Sequence, residues 1–232
     1  MNADDGIAAL VRSALTQALA LLLPVTCAGC DEPDTTLCEA CAAAVAPQPS
    51  VQAVDAPGGA VAVWSVLPFD GVAARVIRAL KEEGRTPLAR TLAPALAAAA
   101  RRLDAPDAVL VPVPTSRAAF RRRGFRVPDL LAARAGLPVA RLLRPVRRTG
   151  DQRGLDREGR RRNVAHSLSA RDAAARRVIV LDDVVTTGVT IEEAVRALRA
   201  GGAEVVGAVT VAATPRRGNG RWPRGVAFET HR

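Results

Sequence analysis

Residues 178–190 read Val178-Ile179-Val180-Leu181-Asp182-Asp183-Val184-Val185-Thr186-Thr187-Gly188-Val189-Thr190. Four apolar residues in a row predict a buried strand over 178–181. Two adjacent acids stand at its carboxyl end. A loop of hydroxyls and one glycine follows, and an amphipathic helix over 191–200 closes on Gly201-Gly202. Ligands of open α/β sheets bind at the carboxyl ends of strands. There, loop and helix N–H groups cradle a phosphate, and Gly188 lets it approach the backbone. The acids Asp182 and Asp183 do not suit a phosphate. They suit sugar hydroxyls beside it, or a metal. A plain strand–turn–helix with a Thr cap accounts for the turn and leaves the acid pair unexplained.

Outward from that stretch, strand and helix patterns alternate. Strands are predicted over 61–69, 108–113 and 205–212, and helices over 72–82, 87–103 and 127–135. Gly84 stops the first helix. Alternation of this kind implies a parallel sheet joined by helical crossovers. The expected organisation is an apolar helix and metal module over 1–46 and a linker over 47–60. An α/β domain over 61–214 and a loose basic tail over 215–232 complete it. The linker expectation rests on Pro, Gly and small residues in PQPSVQAVDAPGGA.

The chain has 232 residues, 49% hydrophobic and 24% charged, which excludes a disordered chain, a collagen-like fibre and a small disulfide scaffold. With 3% aromatics and no Tyr, the core falls to Val, Leu, Ile and Ala. The net charge of +10 is regional: residues 117–177 hold 18 Arg against 5 acids, a net of +13. Such a region attracts polyanions, whether nucleic acid, an anionic surface or a phosphorylated substrate; a solvated face in an Arg-rich chain is the plainer account. Residues 7–23 are apolar but broken by Arg12, Ser13 and Gln17. Asp4 and Asp5 stand where a signal peptide needs Lys or Arg. A packed amphipathic helix is expected there, with no transmembrane segment and a cytoplasmic location.

All four cysteines fall in one short stretch, as Cys27-Ala28-Gly29-Cys30 and Cys38-Glu39-Ala40-Cys41. Two C-x₂-C knuckles complete a closed tetrahedral thiolate site, which favours structural Zn²⁺. An iron–sulfur cluster and unmetallated thiols are the alternatives.

Residues 178–190 resemble the phosphoribosyl-pyrophosphate (PRPP) motif of type I phosphoribosyltransferases. Along nearly the whole chain the sequence is similar to the competence-protein ComF family. The resemblance rests on Leu21-Leu22-Leu23-Pro24 before the four cysteines and on Leu80-Lys81-Glu82-Glu83-Gly84. It continues in Val111-Pro112-Val113-Pro114, Arg123-Gly124-Phe125, Gln152, Gly154, Leu155, Arg160 and Asn163. It departs at Arg126-Val127, where the family has Asn-Gln, and at His166-Ser167-Leu168, where the family has Gly-Ala-Phe.

The resemblance implies an α/β, parallel-sheet phosphoribosyltransferase-like domain preceded by a small zinc-ribbon-like module. It implies that Asp182 and Asp183 serve the ribose hydroxyls and that Thr186, Thr187, Gly188, Val189 and Thr190 hold the 5-phosphate. Arg117 and Lys81 are candidate diphosphate contacts. Arg148, Gln152, Arg160 and Asn163 belong to a candidate mobile loop. Zn²⁺ would be structural, on Cys27, Cys30, Cys38 and Cys41, and Mg²⁺ would arrive with PRPP. The implied activity is phosphoribosyl transfer to an unidentified nitrogenous acceptor, with a link to DNA uptake. The alternative is a nucleic-acid-handling competence protein whose PRPP pocket is regulatory or vestigial. In that case single-stranded DNA would meet the region 117–177, through Arg121, Arg122 and Arg123.

Overall fold

The structure is a computed structural model, and residues 25–146 and 164–215 are described. The apolar segment 7–23, the four loop candidates Arg148, Gln152, Arg160 and Asn163, and the tail from 216 lie outside the described residues.

A five-stranded sheet carries the fold. Its strands are β1 (Ser50–Val54), β2 (Val61–Pro68), β3 (Val109–Pro112), β6 (Arg177–Val185) and β7 (Glu204–Ala213), in the order β1-β2-β7-β6-β3. Only β1 runs antiparallel; β2, β7, β6 and β3 are mutually parallel. A separate antiparallel pair, β4 (Leu143–Pro145) with β5 (Leu168–Ala170), shares a core cluster with one face of the sheet. The sheet is mixed and mostly parallel, as the alternation of patterns predicts.

Three helices cover one face: α2 (Gly71–Glu82), α3 (Ala89–Arg101) and α5 (Val127–Arg134). Val76, Ile77, Leu80, Leu92, Leu96 and Leu131 pack there against Ile179, Leu181 and Val209. The other face belongs to α6 (Val189–Ala200). Its Ile191, Ala194, Val195 and Leu198 recur at helical spacing and meet Val63, Val178 and Val180. Residues 178–181 are buried on both faces, which is why they read as an unbroken apolar run.

Two expectations need correction. The predicted strand 178–181 continues to Val185, so the two acids lie within β6 rather than beyond it. Asp182 pairs with Thr210, Val184 with Ala212 and Val185 with Ala213. The stretch 47–60 is not only a linker, because it contains β1. Val51 and Val54 are buried, and all five residues pair with β2. An edge strand half-buried between Pro and Gly segments has too weak an alternation to stand out.

The cysteine stretch is not free-standing. Ala28 and Val45 belong to the same apolar cluster as α2 and α3. A short helix, α1 (Glu39–Ala44), carries Cys41 into that contact.

Candidate functional site

The chain leaves β3 toward α4 (Arg117–Arg123) and α5, on the face of α2 and α3. It leaves β6 toward α6, on the opposite face. Neighbouring parallel strands whose connections depart to opposite faces open a crevice at their carboxyl ends, the place where such sheets bind ligands. Here that crevice lies between β3 and β6.

Asp182 and Asp183 stand at this end of β6, both half-buried. The backbone N–H of Asp183 donates to Asp182 Oδ1 at 2.8 Å. Lys81, near the C-terminus of α2, places Nζ 2.7 Å from Asp183 Oδ2. Asp182 has no such partner among the described residues. Burial, then the charge of Asp183, pushes its carboxyl from an ordinary 3.8 up to about 8. Raised in this way, Asp182 is able to donate as well as accept, while Asp183 is paired with Lys81.

The turn after β6 supplies donors. Gly188 is the residue before α6, in the left-handed region at φ +84°. The first helical bond runs from Glu192 N–H to Gly188 C=O at 2.8 Å. The N–H groups of Val189, Thr190 and Ile191 before it have no intrahelical acceptor and carry the positive end of the helix dipole. Thr186 is exposed, and Thr187 and Thr190 are half-buried. Val189 is buried, so its side chain is withdrawn from solvent. A Cβ on Gly188 would lie 2.9 Å from Val54 Cγ2. The glycine is therefore required by its φ and by the packing of β1, and not only by space for an anion.

The turn from β3 runs beside this one, since Pro112 pairs with Leu181 and Val113 N–H donates to Leu181 C=O at 2.8 Å. Residues 114–116 lead into α4, capped by Ser116 Oγ, which accepts from Ala119 N–H at 3.2 Å. Arg117 opens α4, is exposed, and makes no ion pair with another described residue. None of the seven residues of α4 is buried. Arg121 and Arg122 are exposed, and the guanidinium of Arg126 lies 4.5 Å from the centroid of Phe120. Arg123 Nε is buried with no acceptor among the described residues. The structure thus brings Lys81 and Asp183 into contact beside Asp182, at the end of β6 that leads into the 186–190 turn, whereas Arg121 and Arg122 are exposed and Arg123 half-buried in the last turn of α4.

The four cysteines form a second cluster, their sulfurs all within 4.8 Å of one another. Tetrahedral zinc with bonds of about 2.3 Å sets sulfurs about 3.8 Å apart, and Cys30 Sγ and Cys38 Sγ stand 3.7 Å apart. Gly29 and Cys38 donate their N–H groups to Cys27 Sγ at 3.4 and 3.3 Å. Burial opposes ionisation of Cys27, but N–H donors from Cys38, Gly29 and Cys30 outweigh it and bring the thiol down to about 6. Burial and the neighbouring thiols push Cys41 up instead. One ready thiolate among crowded thiols is a donor set that a metal ion completes. Gly29 is tight for cause: a Cβ there would fall 2.4 Å from Cys41 Sγ and 2.9 Å from Val72 Cγ1.

Sequence reasoning missed a buried acid. Glu193 on α6 is 4% exposed, accepts from Leu168 N–H at 2.9 Å, and holds Arg196 through two bonds of 2.7 and 2.9 Å. Arg196 in turn donates to Leu168 C=O at 2.8 Å. Burial works against ionisation, yet Arg196 and the Leu168 N–H keep Glu193 below the usual carboxylate range. The pair fastens β5 to α6. In the sequence it looks like any exposed i, i+3 pair.

Residues 118–222 match the phosphoribosyl transferase domain family. The chain is 32% identical over 146 residues to Competence protein F of Haemophilus influenzae, a match covering 56% of this chain and 63% of the relative. It therefore spans less than two thirds of that relative's length. Among solved structures, orotate phosphoribosyltransferase from Aeropyrum pernix is similar at 23% identity, over 71% of this chain and 76% of that one. The TM-score is 0.36, too loose a superposition to add to the strand order described above. The resemblance read from the sequence stands on the first two findings: the chain holds a segment matching the phosphoribosyl transferase domain and is similar to Competence protein F.

Proposed function

We propose that the β3–β6 crevice binds PRPP with Mg²⁺, and that the protein transfers the phosphoribosyl group to a nitrogenous acceptor. The observation that carries this reading is the adjacency of two unlike carboxyls, one paired with Lys81 and one raised by burial, to the N-terminus of α6. Asp183 accepts from one ribose hydroxyl, and Asp182 donates to or accepts from the other. The N–H groups of Val189, Thr190 and Ile191, with the hydroxyls of Thr187 and Thr190, hold the 5-phosphate. The 114–117 turn and Lys81 face the diphosphate. Mg²⁺, arriving with PRPP, would supply positive charge to offset that of the departing diphosphate.

In the transfer, the bond between the anomeric carbon and diphosphate oxygen breaks while a carbon–nitrogen bond forms on the opposite side. The acceptor nitrogen loses a proton to solvent. The charge that grows is on the leaving group, so fixed cations and correct placement do most of the work. The test is release of pyrophosphate from Mg-PRPP across a panel of bases and amines. Release with one acceptor class, lost in Asp183→Asn, supports the reading; no binding of PRPP at all sinks it. Structural zinc on Cys27, Cys30, Cys38 and Cys41 belongs to the same proposal.

A second reading is favoured by α4. A helix with no buried residue, three exposed guanidinium groups at Arg117, Arg121 and Arg122, and a Phe120–Arg126 stack suits a single-stranded polyanion. It gives a place for the DNA-uptake link that the name Competence protein F suggests. In that reading the PRPP pocket regulates nucleic-acid handling. It is tested by DNA affinity with and without PRPP.

A further inference from the structure

Helix α2 touches the cysteine cluster near both of its ends. In its first turn, Val72 packs against the Gly29 knuckle, and Arg75 pairs with Asp31 in the loop between the cysteine pairs. At its C-terminus a single residue makes the second tie. The backbone N–H of Arg85 caps α2 on Ala79 C=O at 3.2 Å, after Gly84 turns the chain at φ +73°. The same residue sends its guanidinium back to the cluster. Nη2 donates to Thr26 C=O, just before Cys27, and to Thr36 C=O at 3.0 Å, just before the second pair. Four residues upstream of Arg85, Lys81 reaches Asp183 at 2.7 Å.

We infer that the four-cysteine module is a positioning device for Lys81, with Arg85 as the positioning residue that joins metal to crevice. The two carbonyls that Arg85 holds lie on separate segments, 26 and 36, joined by the bond from Ala28 N–H to Thr36 C=O at 3.0 Å, and a metal on the four thiolates would brace that junction. A loosened cluster separates those carbonyls, and one planar guanidinium no longer spans both. The C-terminal turn of α2 then loses its outside anchor, and the Lys81 ammonium no longer has a fixed place over Asp183. Arg85 itself touches neither carboxyl, so its effect on the crevice passes through α2. The binding arm of the test rests on the reading of the crevice as a PRPP site; the spectroscopic arm does not.

Lys81 is the only lysine in the chain, so full-length protein labelled at lysine Cε gives one side-chain carbon signal from it. In the zinc-loaded protein that signal is displaced by the Asp183 carboxylate, and Asp183→Asn defines the released position. Arg85→Met keeps the aliphatic stem and removes the two bonds to carbonyls. The expected result is one equivalent of zinc retained, the Lys81 signal moved most of the way to the released position, and Mg-PRPP bound about tenfold weaker. Arg85→Met should add nothing to Lys81→Met in a double-mutant cycle of PRPP affinity, since both act on one contact. Should Arg85→Met fail to fold, wild-type protein titrated with a zinc chelator gives the same reading. The Lys81 signal should move with zinc loss, before the loss of sheet signals. An unmoved Lys81 signal in zinc-loaded, folded Arg85→Met, or through zinc removal, overturns the inference. A Lys81 signal that moves in a protein that does not bind Mg-PRPP overturns the proposed function and leaves this coupling intact.

Discussion

Lys81 Nζ lies 2.7 Å from Asp183 Oδ2, with both side chains mostly withdrawn from solvent, at 24% and 15% exposure. This contact joins α2 to the end of β6. It also sets the adjacent acids apart: Asp183 meets a cation, whereas burial and then the charge of Asp183 raise the Asp182 carboxyl.

The first prediction follows from that raised carboxyl. The Asp182 carboxyl is raised from 3.8 to about 8 in the folded protein. Between those values the unfolded chain has released a proton that the folded chain keeps, so stability falls as pH rises from about 4 to about 8. Asp182→Asn removes the dependence. It should be more stable than wild type at pH 8, by on the order of 2 kcal/mol, with little difference near pH 4. Urea melts of both proteins at the two pH values decide this. A wild-type advantage at pH 8 would contradict it.

Gly188 is predicted to matter for folding first. At φ +84° with Val54 Cγ2 in the way, Gly188→Ala should cost roughly 1–3 kcal/mol, and Gly188→Val more. Loss of ligand binding in either would thus say little about the anion cradle. Thr187→Val is the cleaner probe. It should keep the melting temperature within a few degrees and weaken binding of the 5-phosphate. A Gly188→Ala protein as stable as wild type would refute the packing argument.

At the cysteine cluster, Cys27→Ser or Cys41→Ser should each remove most of the zinc and loosen residues 25–46, because the donor set is closed by four thiolates. Zinc analysis with thiol titration of native protein checks this. Four freely titrating thiols in a fully stable protein would exclude a structural metal.

The buried Glu193 network should be costly to break. Glu193→Gln leaves Arg196 without its charge partner and should destabilise the chain by about 1–3 kcal/mol at neutral pH. The depressed carboxyl means that wild-type stability from this pair is present above the unfolded value and fades as pH falls through the folded one. Urea melts at neutral and acid pH should therefore converge for the two proteins. A gap that persists at acid pH would show that the charge is not what stabilises the contact.

For α4, changing Arg121, Arg122 and Arg123 to Ser should flatten the salt dependence of single-strand binding by roughly two units of slope, at about 0.7 per phosphate contact. PRPP binding should be unchanged, because Arg121–Arg123 form the last turn of α4, at the opposite end from Arg117. Loss of PRPP binding in that variant would instead place those arginines over the diphosphate.

What the sequence disclosed follows from what each element buries. Residues 178–181 and 191–200 are dense with core contacts, and both were legible from their patterns. The β1 strand, the three-residue strands β4 and β5, and α4 were not. β1 pairs only at an edge, β4 and β5 are too short for periodicity, and α4 has no buried face at all; only Ser116 and Gly124 mark its ends. The acids and Lys81 were separately readable as candidates. Their contact was not, because it depends on where α2 crosses the sheet.

The central claim is that the end of β6 binds PRPP, and calorimetric titration of Mg-PRPP into the full-length protein tests it most directly. The account predicts one site per chain in wild type and affinity at least tenfold weaker in Asp183→Asn at an unchanged melting temperature, the loss expected for a charged hydrogen bond. Inorganic pyrophosphate, which lacks the sugar, should be weakened less. Equal PRPP affinity in the two proteins, or no binding to wild type, would contradict it.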